Sequence, residues 1–115
     1  MRVATRFGMA TFLLAGLSPG QDPAQVERGR TVYDAATPKC GMCHSIAGKG
    51  NTKGRLDGVG SRLTAEDAKA WMRTPKEMTE KTKAARRPFM PAYPANKLSD
   101  EDLEALTVYM LSLKG

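Results

Sequence analysis

The chain is 115 residues long, 41% hydrophobic and 26% charged, with a formal net charge of +6. That length holds one small domain. Two cysteines and one histidine fall one ligand short of a structural zinc site. The basic excess comes without a nucleic-acid fold signature or a basic-aromatic array, so nucleic acid is not an expected partner.

In chain order, Arg2 and Arg6 precede an apolar run from Phe7 to Leu17, and Ser18-Pro19-Gly20 closes it with small, turn-forming residues. This is the pattern of a secretory signal peptide, and the run is short for a bilayer span. We expect residues 1–20 to be that signal, cut near Gly20, with a retained anchor as the alternative. Residues 21–115 are then the mature domain, on the periplasmic side of the membrane.

The first helix is predicted from Pro23 to Tyr33. Asp22 suits its N-cap and Pro23 its first position. Val26, Gly29 or Arg30, and Tyr33 share one side. Glycine inside a helix costs about 1 kcal/mol relative to alanine, which is expected where a second backbone passes close.

Cys40-Gly41-Met42-Cys43-His44 follows. C-x-x-C-H is the attachment string of a c-type haem. Its two thiols can add to the two vinyl groups on one haem edge, and the next histidine can then ligate the iron. A dithiol redox motif would want a βαβ pattern around it, and none is visible. A Cys40–Cys43 disulfide would close a short, strained loop. We therefore expect one covalent haem c held by Cys40, Cys43 and His44. A haem in the interior also lets a mature chain this short dispense with many large apolar side chains.

Ala47 to Gly60 carries five glycines and reads as a loop. Thr64-Ala65-Glu66-Asp67 reads as a helix start, with the helix running to about Arg73 and ended by Pro75. Ala68, Trp71 and Met72 should face inward. Lys76 to Arg87 is charged, with a weak inward face and partial helix at most. Pro88, Pro91 and Pro94 make the next stretch extended and stiff. Ser99 begins the last helix, with Asp100, Glu101 and Asp102 at its positive end. Leu103, Leu106, Tyr109 or Met110, and Leu113 form its apolar stripe. No segment reads as a strand.

A second histidine ligand is excluded, since the chain has one histidine. A thioether would match the iron and raise its potential. Met90 is the expected sixth ligand, set between Pro88 and Pro91, because flanking prolines reduce the entropy lost when a loop is fixed. Met78 is the rival, and another ligand or an open position is a third possibility. Met42 lies in the attachment loop, while Met72 and Met110 fall on apolar helix faces where packing is the default role.

These residues resemble the class I c-type cytochromes, in particular the small bacterial monohaem ones. The resemblance rests on Gly29-x-x-x-Tyr33, Cys40-Gly41-Met42-Cys43-His44, Met90-Pro91-Ala92-Tyr93 and Leu106-x-x-Tyr109, in that order. It implies an all-α fold of about four short helices with long loops around one haem. It implies that the first and last helices cross closely, with Gly29, Tyr33, Leu106 and Tyr109 at the contact. It also implies His44 as proximal ligand and Met90 as distal ligand. Many relatives place a proline after a glycine in the loop behind the attachment site, and that proline's carbonyl orients the histidine. Here Gly54 is followed by Arg55, which leaves the orienting carbonyl unassigned.

The function expected is that of a one-electron carrier outside the cytoplasm, not an enzyme, with no catalytic residue. A haem enzyme or gas sensor with a labile sixth ligand is one alternative, and a fixed subunit of a larger redox complex is another. Residues 39–97 hold 13 basic and 5 acidic side chains. Such a surface would steer a monomer onto acidic patches of redox partners, with peripheral contact to a membrane complex possible. Trp71, Arg62 and the Tyr93 hydroxyl are candidate propionate contacts.

Overall fold

The computed structural model describes residues 22–84 and 87–115. The expected signal segment, residues 1–20, lies outside them. Among the described residues four helices carry the fold: α1 (Pro23–Ala35), α2 (Ala65–Arg73), α3 (Pro75–Thr82) and α4 (Asp100–Ser112). The arrangement is mostly helical, with short helices joined by long connections as expected from the sequence, plus one small two-stranded sheet.

α1, α2 and α4 start where a capping side chain stands, whereas α3 follows α2 directly and has no side-chain cap. The Asp22 carboxylate accepts from Ala24 N–H at 3.0 Å, Thr64 Oγ1 from Asp67 N–H at 3.1 Å, and Ser99 Oγ from Asp102 N–H at 3.1 Å. Each bond satisfies an N–H that the helix itself leaves unpaired. α1 runs two residues past its expected end. α3 is a full eight-residue helix where partial helix was expected, and it buries Met78 to 7% exposure.

α1 crosses α4 at Gly29. A Cβ at that position would overlap the Ala105 carbonyl and the Tyr109 Cβ, so only glycine allows this approach. Tyr33 and Tyr109 meet edge to face, with ring centroids 6.0 Å apart and planes at 74°. Gly60 makes a second close passage. A Cβ there would overlap the Leu111 carbonyl, and its N–H donates to Leu113 O at 2.9 Å.

α4 is buried nearly all round from Leu103 to Met110, with only Glu104 exposed. An apolar stripe was expected; the wider burial follows because α1, α2 and the Val59–Ser61 turn all pack on this one helix. Its buried Thr107 hydroxyl donates to Leu103 O at 2.7 Å, so the hydroxyl is not left unpaired in the core. Leu98, Leu103 and Leu106 lie in the same core. Burying each such side chain contributes about 1.5–3 kcal/mol.

The Ala47–Gly60 stretch is more ordered than a plain loop. Ser45–Ile46 (β1) pairs antiparallel with Lys49–Gly50 (β2), Ser45 opposite Gly50. Ala47 and Gly48 form the two-residue turn, both at positive φ (51° and 80°), the geometry a tight hairpin requires. The Asp57 carboxylate accepts from Ala47 N–H at 2.8 Å and holds the turn. Two single 3₁₀ turns, Thr52–Gly54 and Val59–Ser61, complete the segment.

Candidate haem site

The attachment string forms a 3₁₀ turn over Cys40–Met42 that ends at Cys43. His44 N–H donates to Cys40 O at 2.9 Å, which closes the turn on itself. Cys40, Cys43 and His44 line one cavity of about 520 Å³, within the range of cofactor pockets, roughly 300–1,000 Å³. Met90, Tyr33, Leu56, Trp71, Met72 and Tyr93 line it as well. All four residues expected to hold the haem therefore meet in one cavity. Met78 does not line it.

The carbonyl that orients the histidine is that of Gly54. His44 Nδ1 lies 3.0 Å from Gly54 O. A carbonyl only accepts, so Nδ1 carries the proton and Nε2 carries the lone pair that can bind iron. The Gly54 N–H is used too, donating to Asn51 O at 3.1 Å. A proline at position 54 could not make that bond.

Asn51 ties the proximal side together and was not singled out in the sequence. Its N–H reaches Gly41 O (3.1 Å) and His44 O (2.9 Å). Its Nδ2 donates to Met42 O at 3.2 Å, and its Oδ1 accepts from Lys53 N–H at 3.0 Å. One side chain thus joins the attachment turn to the turn that presents Gly54. Asn51→Ala should cost about 1–2 kcal/mol, the worth of two such bonds. It should also raise the midpoint potential, because a looser His44–Gly54 bond makes a less basic ligand. Urea unfolding and a potentiometric titration read the two effects.

The cavity chemistry suits a haem. Its lining is mainly apolar, yet Tyr33 Oη is buried there without a hydrogen-bond partner among the described residues, a polar atom a bound group can satisfy. Burial pushes the Cys40 thiol up to about 11, so it is protonated at neutral pH. Cys40 and Cys43 would hold the haem as thioethers, each thiol adding across a vinyl group so that C–S and C–H bonds replace the S–H bond and the π bond of the C=C.

The candidate propionate contacts separate. Trp71 lines the cavity, whereas Arg62 does not and donates to Asp57 O at 3.3 Å. The Tyr93 hydroxyl donates to Pro38 O at 2.5 Å.

Burial also pushes Tyr33 and Tyr93 up to about 12. Both values lie above the ordinary value of 10, so the fold prefers the neutral phenols. Their stabilising effect is whole below pH 10 and is lost as pH climbs through 12. Stability followed by circular dichroism should fall across that window. Tyr33→Phe and Tyr93→Phe should each reduce the slope, by up to about 1.4 kcal/mol per pH unit.

Around the cavity, Met42 and Phe89 are exposed at 68% and 50%, and Lys53 and Arg87 line the same opening. Arg87 lies over the Phe89 ring at 4.6 Å. The acids at the start of α4 are paired elsewhere, with Arg28, Arg73 and Lys69.

Residues 26–114 match the family model described as cytochrome c, and the chain belongs to that family. Membership carries covalently bound haem c and haem-based electron transfer. The chain is 32% identical over 96 residues to a cytochrome c oxidase subunit 2 of Alkalihalophilus pseudofirmus, covering 76% of this chain and 25% of the relative. It is 29% identical over 94 residues to a Cbb3-type cytochrome c oxidase subunit CcoP of Azospirillum sp. (strain B510), covering 82% of this chain and 30% of the relative. The chain thus spans under a third of either relative's length. No solved structure matches it significantly.

Proposed function

We propose that the protein is a one-electron carrier holding a single haem c, with thioethers to Cys40 and Cys43, His44 as proximal ligand and Met90 as distal ligand. The observation that carries this reading is the convergence of these four side chains on one apolar cavity. The bound haem supplies an Fe(II)/Fe(III) couple. The chain's own residues keep its surroundings constant between the two states. Gly54 O fixes the His44 ring, and the apolar lining excludes water. Met90 lines the same cavity as His44, and as distal ligand it would fill the position a small molecule would need, which supports a carrier over an enzyme or a gas sensor.

The basic and apolar residues at the opening favour a partner with an acidic docking patch, which the positive field would steer into contact. The two relatives are oxidase subunits by name, so a membrane-bound redox complex is the partner class we favour. The basic residues Arg2 and Arg6 and the apolar run Phe7–Leu17 support a place on the periplasmic side as part of this reading. Among the described residues no helix is long and apolar enough to cross a membrane.

Potentiometric titration of the haem-loaded protein should give a reversible one-electron wave, with low-spin spectra at both ends. Gel filtration at low and high salt separates carrier from fixed subunit. A monomer at high salt supports the carrier, and co-elution with one partner at high salt contradicts it.

A further inference from the structure

We propose that Arg73 is the positioning residue that keeps Met90 in the sixth iron position, by fastening the downstream end of the Met90 segment to helix α2. The inference rests on the ligand reading above and extends it to what holds the ligand in place.

Arg73 is the last residue of α2, and its side chain is 22% exposed. Its Nη1 donates to two backbone carbonyls, Tyr93 O at 2.7 Å and Leu98 O at 2.6 Å. Its Nη2 reaches Asp100 Oδ1 at 2.9 Å. The guanidinium thus bridges both ends of the Tyr93–Leu98 stretch, three residues beyond Met90. Charge-assisted bonds of this kind are the strong ones, and the planar fork suits several acceptors at once.

Two further bonds converge on Tyr93. Its N–H donates to Met72 O at 2.8 Å, and its hydroxyl donates to Pro38 O. Met72 precedes Arg73, and Pro38 lies two residues before Cys40. Tyr93 is therefore tied to α2 through two neighbouring residues and to the approach of the attachment turn through a third. Between Tyr93 and Met90 stand only Pro91 and Ala92, and Pro91 has a fixed φ. A segment anchored at Tyr93 has little freedom left at Met90. Without the anchor, Met90 can swing out, and the population with an open sixth position rises.

The test uses the haem-loaded protein. Apparent affinity for carbon monoxide scales with the open fraction. Arg73→Met keeps the side-chain stem and removes the donors. It should lower the carbon monoxide concentration for half-saturation about tenfold or more, the loss of strong hydrogen bonds making opening easier. It should also weaken the far-red Fe–S band of the oxidised protein and speed exchange of the Tyr93 amide, at a temperature where far-UV circular dichroism is unchanged. Arg73→Lys should recover part of each effect. Asp100→Asn, which removes only the exposed ion pair, should change none of them. A folded Arg73→Met protein with the parent's band and carbon monoxide response would overturn the proposal.

If Arg73→Met does not fold, Tyr93→Phe carries the test. It removes one tether of the same segment and should shift the carbon monoxide response in the same direction, and an unchanged response would overturn the proposal. Met90→Ala measured alongside separates the two levels. A band that survives Met90→Ala contradicts the ligand assignment. A band lost in Met90→Ala but intact in Arg73→Met contradicts the role of Arg73 alone.

Discussion

Met90→Ala is expected to abolish the far-red Fe–S band and to lower the midpoint potential by more than about 59 mV, a tenfold shift in a one-electron equilibrium. A thioether favours reduced iron, so its loss favours the oxidised state. Carbon monoxide should then bind the reduced protein readily. Met78→Ala is the informative partner experiment. Met78 is 7% exposed, and truncating a buried methionine costs about 2–5 kcal/mol. Its expected effect is therefore on unfolding, with band and potential retained. The two methionines differ in what they touch, since Met90 lines the cavity and Met78 does not. Loss of the band in Met78→Ala, with retention in Met90→Ala, would reverse the assignment.

Gly29→Ala is expected to destabilise the fold severely. On helix propensity alone, alanine would gain about 1 kcal/mol over glycine. Here the new methyl would overlap a backbone carbonyl, that of Ala105, and a backbone cannot rotate away as a side chain can. Overpacking of this kind costs about 1–3 kcal/mol and more where a helix must move. The clash outweighs the propensity gain, so stability should fall by at least about 1 kcal/mol in urea unfolding. The damage should reach the cavity, because Tyr33 sits one helical turn after Gly29 and lines it. A broadened haem spectrum should accompany the loss, and an unchanged or raised unfolding midpoint would contradict the close-contact account.

The residues legible in the sequence were those whose role is carried by their side-chain type. Cysteine and histidine at C-x-x-C-H spacing have few other uses, and glycine inside a helix marks a crossing. The caps Asp22, Thr64 and Ser99 stand where their helices begin for the same reason. What the sequence concealed depends on backbone groups. Every residue has a carbonyl, so nothing in the type of Gly54 marks it as the partner of His44. Arg73 was likewise hidden, since its acceptors are carbonyls 20 and 25 positions away. Gly60 sat among other glycines in a stretch read as loop, and only the packed Leu111 backbone distinguishes it. The hairpin was missed because Ala47 adopts positive φ, which its side chain disfavours and the Asp57 carboxylate supports.

The measurement that tests the central claim most directly is the visible spectrum of the haem-loaded protein, oxidised and reduced, with and without carbon monoxide. His44 and Met90 as axial ligands predict a low-spin c-type spectrum, a weak far-red band when oxidised, and no change on adding carbon monoxide at concentrations that saturate Met90→Ala. A high-spin spectrum that shifts with carbon monoxide would contradict the account and leave Met90 a loop residue beside an open iron.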